Sequence, residues 1–147
     1  MGDPADLITS PTSVYLVIVN TTQSLSPPVG VDPRPVMERA GHGAWTVAGS
    51  RCARCARAVA YRWARCPGCA GELVPENFGD TGTVWSRTVV NIAVGPHVPP
   101  YEIAYVDLDD GPRVLAHVTG NPVAIGAAVR LVEPSADGDL SVEAVHR

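Results

Sequence analysis

Four cysteines, the whole complement of the chain, fall within 18 residues as Cys52-Ala-Arg-Cys55 and Cys66-Pro-Gly-Cys69, two C-x-x-C pairs with ten residues between them. A C-x-x-C segment folds into a tight knuckle that aims two sulfurs at one point, and two knuckles supply the four thiolates of a tetrahedral Zn²⁺ site. A disulfide framework fits less well, because it spreads its cysteines to staple distant loops, and these bridge only one short hairpin. A redox pair of the thioredoxin type comes as one C-x-x-C beside a βαβ pattern, which is absent here. Iron in a rubredoxin-like site is the minor alternative, since it uses the same four sulfurs. A four-thiolate zinc has no open position for an activated water, so the expectation is one structural zinc per chain, held by Cys52, Cys55, Cys66 and Cys69.

Other catalytic chemistry is thinly supplied. Lysine is absent and all eleven basic residues are arginine, which removes Schiff-base catalysis and the P-loop. His42, His97, His117 and His146 are scattered and match no metal motif. His117 lies out of phase with Val114, Ala116 and Val118, so it is expected to face solvent. Asp107-Leu-Asp-Asp-Gly111 has the start of a calcium loop, but the closing glutamate position is Val118, and a hairpin is the better reading.

The elements that must carry these residues are short. Fourteen prolines and fourteen glycines in 147 residues cut the chain into pieces too short for long helices. The run Val14–Val19 falls far short of the roughly 20 apolar residues that span a bilayer, and the acidic Met1-Gly-Asp-Pro-Ala-Asp6 lacks the positive charge of an export signal. A reducing, cytoplasmic location is the expectation, and it too favours metal over disulfides. Charge is unevenly divided. Residues 37–75 carry six arginines against Glu38 and Glu72, a balance of +4, whereas residues 76–147 carry ten carboxylates against four arginines, a balance of −6.

Three regions follow. Residues 1–36 read as an irregular extension, with one strand-like run at Ser13–Val19 and then a proline-rich linker. Residues 37–75 form a ribbon around the cysteines, too small to hold a core without its metal. Residues 76–147 show five strands, at Thr83–Val94, Ile103–Leu108, Arg113–Val118, Ala127–Val132 and Leu140–Val145, which together suggest a small closed barrel. Asp109-Asp110-Gly111 is expected to be a type I′ hairpin turn.

Residues 45–134 resemble a prokaryotic family in which a rubredoxin-like zinc ribbon precedes an OB-fold barrel, encoded beside thiolases and related acyl-CoA enzymes. The resemblance rests on the double C-x-x-C with its ten-residue gap and on Gly82-Thr-Val-Trp-Ser-Arg-Thr-Val-Val90 as the first barrel strand. Pro100-Tyr101, Val106-Asp-Leu-Asp-Asp-Gly111 and Ile125-Gly-Ala-Ala-Val129 also fit it. The chain departs from the family where Ala56 replaces a glycine and where Ala60-Tyr61-Arg62-Trp63 replaces a Phe-Pro-Pro-Arg run. The family's usual helical N-terminal segment is not recognisable.

The resemblance implies a mostly β protein acting as a non-catalytic accessory subunit of a thiolase-like or ketosynthase-like acyltransferase, or occasionally of a hydratase. It would join a hetero-oligomer that handles acyl-CoA or acyl-carrier substrates in lipid or secondary metabolism. The competing class is a single-stranded nucleic-acid-binding OB-fold protein. The acidic barrel opposes that class, since phosphate neutralisation dominates such affinity. Arg51, Arg54, Arg57, Arg62 and Arg65, with Tyr61 and Trp63, could meet the phosphates or adenine of CoA, or an acidic protein surface. Tyr61, Arg62 and Trp63 are therefore the candidate partner or CoA contacts, beside a ribbon whose arginines also offset the charge of its own thiolates.

Overall fold

A computed structural model describes residues 34–61 and 63–145. Among the described residues there are nine strands and no helix, arranged as a four-stranded antiparallel sheet followed by a closed five-stranded barrel. The mostly β ribbon-plus-barrel architecture read from the sequence is the one observed. The predicted strand Ser13–Val19 lies outside the described residues, as do Arg62 and His146.

The ribbon sheet is organised by β2 (Trp45–Cys52), which delivers Cys52 to the first knuckle. One edge of β2 pairs with β1 (Val36–Arg39) and then, further along, with β3 (Ala58–Val59). Its other edge pairs with β4 (Leu73–Phe78), which enters directly after the second knuckle. Val47, Val59 and Phe78 turn inward from these strands. Only Gly79 and Asp80 connect β4 to the barrel.

The barrel consists of β5 (Thr81–Val90), β6 (Tyr101–Leu108), β7 (Arg113–Val118), β8 (Ala128–Val132) and β9 (Ser141–Ala144). Its strand order is β5-β6-β7-β9-β8, with β8 returning to β5 to close it. All neighbours are antiparallel except β7 and β9, which run parallel. Alternation explains the core: Val84, Ala104, Val106, Leu108, Val114, Ala116, Val129, Leu131 and Val142 point inward and are buried. Val47, Ala60 and Phe78 of the ribbon belong to the same buried cluster, so the two sheets share one apolar centre.

Two local expectations change. The first barrel strand ends at Val90 rather than Val94, because its partner β6 begins at Tyr101, opposite Val90, and leaves nothing to pair with Asn91 onward. Residues 91–100 instead form a loop in which Ile92, Val94 and Val98 are exposed, the last at 81%.

The turn after Leu108 is also not of type I′, which needs two successive residues with positive φ. Only Asp110 has one, at 54°, and the Gly111 N–H donates to the Leu108 carbonyl at 3.0 Å. Gly111 is required for close approach instead: a Cβ there would stand 2.9 Å from Leu108 Cβ and 3.1 Å from Phe78 Cβ. The glycine thus lets the barrel's hairpin press against the last residue of the ribbon.

Candidate functional site

The two knuckles are built alike. Cys52 N–H donates to Arg57 O and Ala56 N–H to Cys52 O, both at 2.9 Å, while Arg54 N–H points at Cys52 Sγ from 3.4 Å. In the second knuckle Cys66 N–H donates to Gly71 O at 2.9 Å, Ala70 N–H to Cys66 O at 2.8 Å, and Gly68 N–H approaches Cys66 Sγ to 3.4 Å. Both turns need a left-handed residue after the second cysteine, supplied by Ala56 (φ 58°) and Ala70 (φ 57°). Ala56 stands where the resemblance read from the sequence implies a glycine; the knuckle conformation accommodates it.

Four sulfurs converge as a result. Cys52 Sγ lies 3.5 Å from Cys69 Sγ, and Cys55 Sγ lies 3.7 Å from Cys66 Sγ. No disulfide joins them, since a bonded pair stands about 2.05 Å apart. Four ligands about 2.3 Å from one Zn²⁺ stand roughly 3.8 Å apart, so the quartet fits a tetrahedral ion and could hold zinc. Cys55 N–H, followed by Arg54 N–H, draws the Cys52 thiol down to about 6. The Gly71 N–H acts in the same direction on Cys69, but the neighbouring thiols Cys55 and Cys52, together with burial, push it up to about 12. Four thiols this close resist ionising together unless a cation sits between them.

The basic ribbon is less available than its charge suggests. Arg51 bonds Glu76 through Nε and Nη2 at 2.7 and 2.8 Å, and the same Nη2 donates to the Asp110 carbonyl at 2.6 Å. Its guanidinium carbon lies 5.3 Å from the centre of the Phe78 ring. Arg51 is thus a clamp between ribbon and barrel hairpin rather than a phosphate contact. Arg54 reaches back to the Cys69 carbonyl at 3.5 Å, and Arg57 packs over Gly68.

Of the candidate contact residues, Tyr61 and Trp63 are exposed. Tyr61 borders a groove of about 320 Å³ between ribbon and barrel, together with Arg34, Pro35, Leu115, His117, Asp139 and Leu140. Trp63 does not line it. Pro35 and the Arg34–Asp139 ion pair, 2.9 Å, bring the start of the described chain onto the barrel at this groove.

Sequence reasoning missed a cluster at this groove, two of whose three members, His117 and Asp139, line it. His97 Nε2 lies 3.1 Å from Asp139 Oδ2 and His117 Nε2 lies 3.9 Å from the same oxygen. The two imidazoles stack with centroids 4.2 Å apart, and Tyr101 stacks against His117 at 5.5 Å. Arg34 first, and His97 after it, hold the Asp139 carboxyl below the usual carboxylate range. Burial, with the His97 charge second, lowers His117 despite the opposing pull of Asp139.

His117 does point away from the barrel core, as its phase required, but it is half-buried rather than solvated. The loop 91–100 and the segment before β9 fold over it. Nothing local signalled this, because His97, His117 and Asp139 come from three separate segments.

A second missed feature was legible. Trp85, 53% exposed, alternates out of phase with Val84 and sits at a register shift between Val84 and Ser86, a β-bulge that turns it outward. It meets Tyr105 edge-on at 6.3 Å and carries the Arg113 guanidinium 3.8 Å over its ring. Arg113 is in turn held by both carboxylate oxygens of Asp107, at 2.7 and 2.9 Å. Trp85, Tyr105 and Leu115 thereby form an apolar band on the outer face of β5, β6 and β7, continuous with His117 along β7.

No helix among the described residues is long and apolar enough to cross a membrane. Comparison with known proteins matches the barrel to a family model described as ChsH2, C-terminal OB-fold domain, over residues 76–133. A solved structure titled Ltp2-ChsH2(DUF35) aldolase is similar with a TM-score of 0.52 and 23% identity, over 67% of this chain and 84% of that one. A DUF35-family protein of unknown function from Sulfolobus solfataricus is similar with a TM-score of 0.53 and 24% identity, over 68% of this chain and 76% of that one. Both likenesses are of fold. The resemblance read from the sequence is therefore supported: a four-cysteine ribbon precedes a barrel whose residues 76–133 are similar to the ChsH2 C-terminal OB-fold domain.

Proposed function

We propose that this protein is a non-catalytic accessory subunit of a thiolase-like or ketosynthase-like acyltransferase, joining it in a hetero-oligomer that handles acyl-CoA or acyl-carrier substrates. The observation that carries this reading is the family match of the barrel, since ChsH2 is named together with Ltp2 in an aldolase structure of similar fold. The uncovered apolar residues support it. Ile92, Val94 and Val98 on one loop, and Trp85 and Tyr105 on the barrel's outer face, are exposed apolar side chains of the kind that partner surfaces use. In this reading Cys52, Cys55, Cys66 and Cys69 hold one structural zinc, which shapes the ribbon and takes no part in chemistry. Tyr61 and Trp63, with Arg62 between them, are the ribbon's contacts to the partner or to CoA.

Co-purification with such an enzyme, followed by assay of its acyl transfer with and without this chain, tests the reading. Binding together with a change in rate or product supports it. An enzyme that neither binds the chain nor changes in activity removes it.

A second reading, single-stranded nucleic-acid binding, is favoured by one observation: Trp85 and Tyr105 lie on the sheet face that OB-folds use for stacking bases. It is opposed by charge. Arg113 and Arg87, the cations nearest that face, are paired with Asp107 and Glu102, in a barrel that is acidic overall. Tight filter binding of single strands that weakens steeply with salt would favour this second reading.

A further inference from the structure

We propose that His97, His117 and Asp139 form a second metal site, distinct from the cysteine quartet, which takes a divalent transition-metal ion such as Zn²⁺ and keeps a coordination position open to the groove beside Tyr61.

The donor set comes first. Two imidazoles and one carboxylate are the ligands that borderline divalent ions select, and their donor atoms all lie within 4.8 Å of one another. Two ligands each about 2.1 Å from one ion stand roughly 3.4 Å apart in tetrahedral geometry. The distances from Asp139 Oδ2 to His97 Nε2 and His117 Nε2, 3.1 and 3.9 Å, bracket that spacing. A hydrogen-bonded tie accounts for His97 alone. His117 Nε2 is too far from the carboxylate for a hydrogen bond, and among the described residues it makes none. An ion between the three donors satisfies it, together with the second lone pair of Oδ2.

The surroundings hold the donors in place. Arg34 Nη1 binds Asp139 Oδ1 at 2.9 Å, which orients the carboxylate and leaves Oδ2 to the histidines, as partners behind metal ligands commonly do. Ser135 Oγ accepts from Asp139 N–H at 3.0 Å and fixes the turn that presents it. His117 N–H donates to the Leu140 carbonyl at 2.7 Å, locking β7 to the segment that carries Asp139. Tyr101 packs flat on His117 and limits its rotation.

An anion is the other ligand such a basic cluster suggests. The Asp139 carboxylate at its centre argues against one, because it would face any phosphate directly.

Three protein ligands leave one tetrahedral position unfilled, in contrast to the saturated cysteine site. His117 and Asp139 both line the groove that Tyr61 and Leu115 border, on the outer face of β6 and β7 where OB-folds bind their ligands, so a ligand in that groove would reach an ion held by them. The class of ligand it would accept is a single oxygen donor, water or a carbonyl or carboxylate oxygen of a groove-bound molecule.

The test uses the full chain, saturated with Zn²⁺, dialysed, and analysed for zinc per chain. Two zinc ions are expected in the unaltered protein, and one in His117→Ala and in Asp139→Asn. A chain that takes up only one zinc overturns the proposal, and so does a second zinc that survives both substitutions. Should the variants misfold, the unaltered protein suffices: with the ribbon first loaded with zinc, added Co²⁺ should selectively broaden the proton resonances of the His97, His117 and Tyr101 rings and spare exposed His42. Equal broadening of His42, or none at any of these rings, also overturns it.

Discussion

The ribbon and the barrel solve the problem of stability in opposite ways. Sulfurs from one 18-residue segment converge in the ribbon, which buries few apolar side chains of its own. The barrel closes five strands over a valine-rich interior. The same contrast separates their two clusters of residues that could hold a metal ion. The cysteine quartet is local and saturated, whereas His97, His117 and Asp139 are gathered from across the barrel and leave a side open. A local quartet suits a structural role, because it forms wherever its hairpin forms. A site assembled by closure of the barrel exists only in the folded protein and can be placed where a ligand arrives.

Removing one ribbon ligand should break the comparison most sharply. Cys66→Ser, or chelation of the bound ion, is expected to unfold the ribbon, since structural zinc supplies on the order of 10 kcal/mol to units of this size. The β5–β9 amide resonances should stay dispersed while those of 45–75 collapse. Simultaneous loss of both would show that the barrel depends on the metal as well.

Phe78 is the next lever, because it belongs to β4 and yet packs against Gly111 of the barrel hairpin. Phe78→Ala should cost about 3–5 kcal/mol, within the range for buried aromatic truncation. Because the core is shared, denaturant unfolding of the zinc-loaded protein should change from one transition to two. A single unshifted transition would refute that coupling.

Acid should loosen the same junction. Arg51 bonding, in opposition to burial, holds the Glu76 carboxyl below its ordinary value of 4.5. The unfolded chain therefore binds this proton more readily than the folded one. The contribution is present above the ordinary carboxylate range and is lost as pH falls through the lowered value. Glu76→Gln should be less stable than the unaltered chain at neutral pH, and the difference should vanish at low pH. A difference that persists there would assign Glu76 a role other than its charge.

The smallest effect is expected within the knuckles. Ala56 and Ala70 occupy left-handed conformations that glycine adopts without strain. Ala56→Gly should stabilise the zinc-loaded ribbon by about 1 kcal/mol or less, measurable as a raised melting midpoint. A lowered midpoint would mean that the entropy of the added glycine outweighs the relief of strain.

How much of this was legible follows the same division between local and distant contacts. Val114 and Ala116 announced their shared face through alternation, and the turn at Asp109-Asp110-Gly111 separated two of the strands. Strand ends were less readable, because Val90 is the last residue of β5 only by virtue of where Tyr101 begins. Arg51 looked like one of several free cations, and its engagement with Glu76 and Asp110 depends on how the hairpin lies on the ribbon.

The sequence by itself determined the cysteine quartet, the five strands of the barrel and the absence of long helices among the described residues. Each is encoded by spacing or alternation over a few residues. Tertiary structure alone decided the rest. Closure of the barrel places β9 beside β7 in parallel, which sets Leu140 against His117 and brings Asp139 within reach of it and of His97, 42 residues before. It also presses Gly111 onto Phe78, so that a residue expected for its turn proves necessary for its lack of a side chain. Contacts between segments this far apart depend on which strands pair. Pairing is fixed by the packing of the whole core, not by any local pattern.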